Sequence, residues 1–457
     1  MKPGIVKERS MIDVIAIDTP TLGDRSYLVT DGQDAFVVDP QRDIDRVLDL
    51  ARRRGVRITD VFETHIHNDY VTGGLALARA TGAAYHVNTA DPVAFDRVPI
   101  ADGDEVEVGA TMRVRALATP GHTHTHLSYL LTAPDHDPAV FTGGSLLFGS
   151  TGRPDLLGPA HTGQLVHAQY ASAHRLAALP DETRVYPTHG FGSFCSATQA
   201  EGEHSTIGRE KLANPVLTDD EDDYVATLLA GLDAHPAYYA HMAPANLAGP
   251  GAPDLAPPAH AEADELRRRI DAGEWVVDLR SRTTFAAGHV AGSLNFGLDG
   301  SFATYLGWLI PWGTPLTLLG ENPEQVAEAQ RELVRIGIDH IEAAGIGVTG
   351  TASFPRATLA DLADVRHHRP VVTLDVRRHL EWEQAHLVGA VHIPLHELLT
   401  RLDEIAAGEV WVHCRSGYRA SIAASVLAAA GRQVVAVDDD FDQAAHTDLA
   451  LVGTANR

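Results

Sequence analysis

Two cysteines in 457 residues, Cys195 and Cys414, are too few for a disulfide scaffold. They stand in separate segments, so no bridge is expected between them. Lysine is almost absent. Only Lys2, Lys7 and Lys211 occur, and arginine carries nearly all the positive charge. The net charge of −25 argues against nucleic acid as a partner. No apolar run reaches membrane-spanning length, so no membrane partner is expected. Met1 to Met11 lacks the apolar core of a secretory signal, and the expectation is a cytoplasmic chain with reduced thiols. Aromatics make up only 6% of the chain, but 44% hydrophobic residues suffice for ordinary buried cores. This length predicts two to four domains.

What the chain does have is histidine at strand ends. The run Ile58 to Glu63 reads as a strand feeding into Thr64-His65-Ile66-His67-Asn68-Asp69-Tyr70, and a helix is predicted from Gly74. Two imidazoles two residues apart on extended backbone project to the same side, so both can reach one ion. A polar loop with incidental histidines is the bland alternative. Strands are also predicted at 14–17, 27–29 and 35–38, the last ending at Asp39. A helix is predicted over 44–54. Further strands end at Gly121-His122-Thr123, at Gly143-Gly144 and at Thr188-His189-Gly190, with a helix over 161–179. His65, His67, Asp69, His122 and His189 are thus candidate ligands of one site assembled from distant sequence. The acidic run after Thr218 reads as a helix start with Thr218 as N-cap.

The order of these motifs resembles the metallo-β-lactamase superfamily, and within it the glyoxalase II and persulfide dioxygenase branch. His126-Leu127-Ser128-Tyr129 and Gly152-Arg153-Pro154-Asp155 support the likeness. The resemblance implies a four-layered αββα sandwich over residues 1–242, with one divalent metal per chain, iron(II) or zinc. In persulfide dioxygenases two histidines and a carboxylate hold iron(II). By motif the histidines are His65 and His122, but the carboxylate position is Gly144, which has no ligand atom. Tyr70 stands where binuclear relatives carry a further histidine. Three readings stay open. Asp69 replaces the carboxylate; or His65, His67 and His122 hold zinc; or the domain is a metal-free scaffold. Asp155 reads as structural, paired with Arg153. The resemblance also implies that His126 orients substrate and that Cys195 is a sulfur-carrying thiol near the metal, against the alternative of a buried cysteine under a glycine-rich loop.

Residues 243–260 are rich in Pro, Gly and Ala and read as a spacer. Beyond it a motif repeats. Asp278-Leu279-Arg280 with Gly288-His289 recurs as Asp375-Val376-Arg377 with Ala385-His386, which implies two similar α/β domains, 261–350 and 351–457. In the second copy the strand Val410–His413 runs into Cys414-Arg415-Ser416-Gly417-Tyr418-Arg419 and then a helix. Backbone N–H groups converge on a cysteine so placed, and Arg415 and Arg419 are expected to favour its thiolate. This loop resembles rhodanese, a sulfurtransferase, with Ser416, Gly417 and Tyr418 in the substrate-binding loop. The first copy has Gly320-Glu321-Asn322-Pro323 there and is expected to be inactive. The whole chain resembles persulfide dioxygenase–rhodanese fusions. That implies a small-molecule thiol persulfide, thiosulfate or sulfite as partner, and a homo-oligomer. The alternatives are a zinc thioester hydrolase of glyoxalase II type, and a metal-free platform with rhodanese activity only.

Overall fold

A computed structural model describes residues 12–197, 202–348 and 350–453. The opening segment read for a secretory signal lies outside them. The chain divides into two compact units, Met1–Pro253 with Val334–Gly337, and Asp254–Leu333 with Ile338–Arg457. No helix among the described residues is long and apolar enough to cross a membrane.

The first unit is built on two six-stranded sheets. One runs Asp13–Thr19, Asp24–Thr30, Asp34–Val38, Arg57–Phe62, Ala84–Asn88, Val98–Ile100 in spatial order. The other runs Ser205–Thr206, Arg184–Pro187, His136–Gly143, Leu127–Ala133, Met112–Ala118, Glu105–Val108. Alternating residues of both sheets meet in one core that includes Phe36, Phe62, Tyr129 and Phe141. The opposite faces are covered by helices. Asp45–Arg54 and Gly74–Thr81 pack on the first sheet, and Pro159–Ala177 on the second. The result is the expected αββα sandwich.

Two local expectations are corrected. Thr218 closes the short helix Pro215–Thr218, and the N-cap of Glu221–Ala230 is Asp220, whose carboxylate accepts the Asp223 N–H. In an acidic run any of several side chains can cap, and the one immediately before the first helical residue does so. The spacer read at 243–260 begins inside a helix, Tyr239–Ala248, which accommodates Pro244. Its Asn246 is buried, gives N–H bonds to the carbonyls of His67 and Tyr70, both at 2.9 Å, and accepts the Thr72 N–H at 2.9 Å. The supposed spacer therefore clasps the histidine loop.

The two sheets are tied at one edge by Asp39, fully buried and held at φ 50°. Its carboxylate accepts the Thr64 N–H and hydroxyl, both at 2.7 Å, and the Thr188 hydroxyl.

In the second unit each sequence copy forms a five-stranded parallel sheet. The first is ordered 259–260, 341–346, 316–320, 275–278, 294–295; the second 356–357, 434–437, 410–413, 372–375, 391–392. The repeated motif has a structural cause. Asp278 and Asp375 end their strands buried, and each is forked by the arginine two residues on, with closest contacts of 2.6 Å. Arg280 and Arg377 then reach the carbonyls of Gly288 and Ala385, at 3.0 and 2.7 Å. His289 stacks on Phe285 and His386 on Trp382, each ring bonding the carbonyl four residues back at 2.9 Å. In the second copy Glu381, on the helix His379–Gln384, forks Arg419 on Tyr418–Ala429 at 2.6 and 2.7 Å. Burial alone raises the Glu381 pKa, but the Arg419 bonds and charge outweigh it and hold it at about 2.

Removing the Asp39 carboxylate orphans three buried donors, so Asp39→Ala is expected to cost about 3–5 kcal/mol. Urea unfolding followed by fluorescence checks this. The folded pKa of Glu381 lies below its ordinary 4.5, so the Glu381–Arg419 pair stabilises at neutral pH and is lost as pH falls from about 4.5 toward 2. Glu381→Gln is expected to lower the melting temperature at pH 7 and to flatten its decline over that interval.

Candidate functional site: a buried histidine cluster and a cysteine loop

At the edge tied by Asp39, strand ends bring His65, His67, Asp69, His122, His126, His189 and Cys195 together, all buried. The hydrogen bonds settle which imidazole nitrogens carry protons. The Thr64 hydroxyl proton is given to Asp39, so its oxygen accepts from His65 Nδ1 at 2.8 Å. A carbonyl can only accept, so His122 Nδ1 donates to Arg153 O at 2.9 Å. Both histidines are left with a lone pair on Nε2. That atom of His122 is buried with no hydrogen-bond partner. His67 turns Nε2 toward the Tyr70 hydroxyl at 3.0 Å, Glu63 at 3.3 Å and Asp39 at 3.4 Å, and leaves Nδ1 buried and unpartnered. His189 gives Nδ1–H to Asp24 at 2.9 Å, and its Nε2 lies 3.4 Å from that of His65.

The electrostatics follow from these partners. Burial disfavours charge on all four rings. It pushes His65 well below its ordinary value and His122 down to about 3, with neighbouring histidines adding to the effect. For His67 the Asp39 and Glu63 carboxylates outweigh burial and raise it to about 9. For His189, Asp69 and Asp24 do the same, to about 10. Asp24 is itself raised to about 7, by burial and then by the Asp69 charge.

Among the described residues, ligand atoms of His65, His67 and His189 lie within 4.8 Å of one another, as do those of His122, His189 and Cys195. His189 is common to both groups. Neither group joins the expected zinc set of His65, His67 and His122. Asp69 groups with Asp24 and His189; it lies 3.3 Å from His189 Nδ1 and leaves Oδ1 buried and unpartnered. Buried histidine, carboxylate and thiol donors gathered around His189, with His122 Nε2 lacking a hydrogen-bond partner, fit a divalent cation, which would displace the imidazolium protons.

Gly144 differs from a merely missing ligand. A Cβ there would lie 2.3 Å from His122 Cδ2, so the ring occupies the space of any side chain. His126, expected to orient substrate, is instead a fixture of this turn. Its Nε2 accepts the Gly144 N–H at 3.0 Å and its Nδ1 donates to Thr119 at 2.9 Å, which leaves nothing for a ligand. Asp155 is forked by Arg153 at 2.7 Å, as expected of a structural residue. Asp24, Asp39 and Glu63 were not read as site residues. Their only signal was an acid at or next to a strand end, which is common.

The second site is the Cys414 loop. Cys414 follows the strand Val410–His413, is 2% exposed, and its sulfur accepts the Gly417 N–H at 3.2 Å. Gly417, at φ 93°, opens the helix Tyr418–Ala429. Both cysteines are free thiols. The arginine expectations need correction. Arg415 is forked outward by Asp442 at 2.6 and 2.7 Å, and its charge is answered there. The Arg419 guanidinium is held by Glu381. Arg282, from the copy that lacks a cysteine, also reaches this loop: its Nε lies 3.2 Å from where a Cβ on Gly417 would stand. It bonds Asp438 at 2.7 Å and Asp299 at 3.1 Å. No repeat signal marks it, because only the packing of the two copies brings it there. Tyr418, expected in substrate binding, gives its hydroxyl to the Gly297 carbonyl of the first copy at 2.7 Å. Ser416 is exposed at the loop tip. The first copy has a strand Leu316–Gly320 leading through Glu321-Asn322 into the helix Pro323–Arg335, with no thiol.

Residues 22–189 match the family profile described as the metallo-beta-lactamase superfamily, and 262–340 and 358–446 each match the rhodanese-like domain. A hydroxyacylglutathione hydrolase of a Polaromonas species is 38% identical over 162 residues, 35% of this chain and 58% of its own length. The chain thus spans less than two thirds of that relative. The corresponding enzyme of Pseudomonas entomophila is 31% identical over 205 residues, covering 40% of this chain and 76% of the relative. A solved metallo-beta-lactamase from Staphylococcus aureus aligns over 74% of this chain and 99% of its own, with 26% identity and a TM-score of 0.65. The sandwich, the strand-end histidines and the cysteine loop agree with these likenesses: the chain belongs to the metallo-beta-lactamase superfamily, with two rhodanese-like domains after the metal-binding fold.

Proposed function

We propose that this chain is an enzyme of sulfur metabolism that processes low-molecular-weight persulfides at a mononuclear metal site and passes sulfane sulfur through Cys414. The observation that carries the reading is the Cys414 loop. A thiol whose sulfur already accepts the Gly417 N–H, at the mouth of a helix and with Arg282 beside the loop, suits a sulfur acceptor that becomes a persulfide. Cys414 attacks the outer sulfur of thiosulfate or of a persulfide; the S–S bond breaks, sulfite or a thiolate leaves with the electron pair, and the enzyme persulfide remains. A nucleophilic acceptor then takes that sulfur and restores the thiolate.

In the first unit the buried cluster of His65, His67, Asp69, His122, His189 and Cys195 offers the donors that would hold the cation. A divalent iron or zinc ion there would supply Lewis-acid chemistry and, if iron, access to oxygen. The chain's own residues exclude water and fix the ring orientations through Thr64, the Arg153 carbonyl and Asp24.

A second reading, thioester hydrolysis of glyoxalase II type, is favoured by the names of the curated relatives. Tyr70, whose hydroxyl is spent on His67, weighs against the two-metal form of that chemistry.

Cys414→Ser is expected to abolish thiosulfate:cyanide sulfurtransferase activity; a variant that kept the full rate would overturn the assignment. The iron(II)-reconstituted chain is expected to consume oxygen when given glutathione persulfide. Oxygen-independent hydrolysis of a hydroxyacyl-glutathione by the zinc form would instead favour the second reading. Gly144→Asp is expected to lower bound metal, measured by elemental analysis, because the new side chain displaces His122.

A further inference from the structure

The carboxylate missing at Gly144 has a replacement of different chemistry in the same cavity. Cys195 is 0% exposed, and its sulfur lies within 4.8 Å of ring nitrogens of both His122 and His189. The backbone holds it there. The Arg153 N–H donates to Cys195 O at 2.8 Å, while Arg153 O takes the Nδ1 proton of His122 at 2.9 Å. One residue thus fixes the thiol loop and aims the imidazole. The Cys195 N–H is bound in turn by Ser193 Oγ at 3.1 Å.

Two observations point to a ligand and not an inert core cysteine. His122 Nε2 is buried and has no hydrogen-bond partner. No side chain fits at 144, so the usual carboxylate position is closed by His122 itself. We propose that Cys195 is a thiolate metal ligand, so that His122, His189 and Cys195 form a two-nitrogen, one-sulfur site. Metal–nitrogen and metal–sulfur bonds of about 2.1 and 2.3 Å put tetrahedral ligand atoms roughly 3.4–3.7 Å apart, within reach of small side-chain rotations. Binding releases the thiol proton, as a coordinating thiol is deprotonated outright. A thiolate in place of a carboxylate also makes the site softer, which moves its preference from iron(II) toward zinc.

This deepens the metal half of the function proposed above and is independent of the sulfur-transfer half. The test uses the full-length chain carrying Cys414→Ser, titrated with cobalt(II). A near-ultraviolet thiolate-to-cobalt charge-transfer band is expected to saturate at one equivalent. Adding Cys195→Ser should abolish the band and weaken cobalt binding more than about 100-fold, beyond the 10–100-fold typical of losing a ligand's hydrogen-bond partner. If that variant does not fold, X-ray absorption on the Cys414→Ser protein decides: a sulfur scatterer near about 2.3 Å supports the site. Cobalt bound by nitrogen and oxygen alone, or no cobalt bound, overturns it. Sulfurtransferase activity of the natural chain, assayed in parallel, reports separately on Cys414.

Discussion

The first unit depends on a buried negative charge. Asp39 accepts from Thr64 on one sheet and Thr188 on the other, so a single carboxylate sets the spacing of the two loops that carry His65, His67 and His189. A buried carboxylate is tolerated only where donors surround it. Here two hydroxyls, one amide and the His67 ring do so, and despite burial the His67 charge holds Asp39 below its ordinary pKa. Its φ of 50° is a conformation few non-glycine residues adopt, and the surrounding bonds stabilise it. The loops could not be rearranged for another metal geometry without breaking this knot first.

Much of this architecture was legible in the sequence because it is local. A strand followed by His-x-His-x-Asp, or by a cysteine and a helix, places its side chains through periodicity alone. What the sequence could not disclose lies across long separations. Asp24 is 165 residues from the His189 it orients, and Asn246 is 179 from the His67 carbonyl it binds. Arg282 reaches the Cys414 loop only through the packing of one copy on the other. The composition of 243–260 read as a spacer because Pro, Gly and Ala are common in linkers; a single buried Asn amide turns the start of that stretch into part of the site. Arg415 and Tyr418 were misread for a related reason. Nearness in sequence to Cys414 does not decide direction, and Asp442 and the Gly297 carbonyl take their polar groups elsewhere.

The repeat in the second unit separates folding from chemistry. Both copies close their sheets with the same buried Asp–Arg fork and the same stacked histidine, while only one carries a thiol at the strand end. The copy without a thiol is more than a spacer. Its Asn295 is bonded by Ser421 and Ser425 on the helix that follows the Cys414 loop, and Arg282 adds positive charge at that loop. Arg282 stands beside Gly417 of that loop and Arg419 lies in the first turn of the helix after it, each paired with a carboxylate, so the polar surroundings of the loop come from both copies.

Loss of a side chain at 144 has its largest effect on where ligand charge resides. A carboxylate at that position would bring a hard anion to the cavity. In this chain the anions stand behind the imidazoles instead. Asp39 and Glu63 back His67, and Asp24 and Asp69 back His189. Carboxylates that accept from the far nitrogen of a ring make its other nitrogen a better donor. The cavity thus exchanges direct negative charge for more basic imidazoles, with the thiol of Cys195 as its soft group. That pattern of donors favours a cation that accepts nitrogen and sulfur, with His122 Nε2 left buried and without a hydrogen-bond partner.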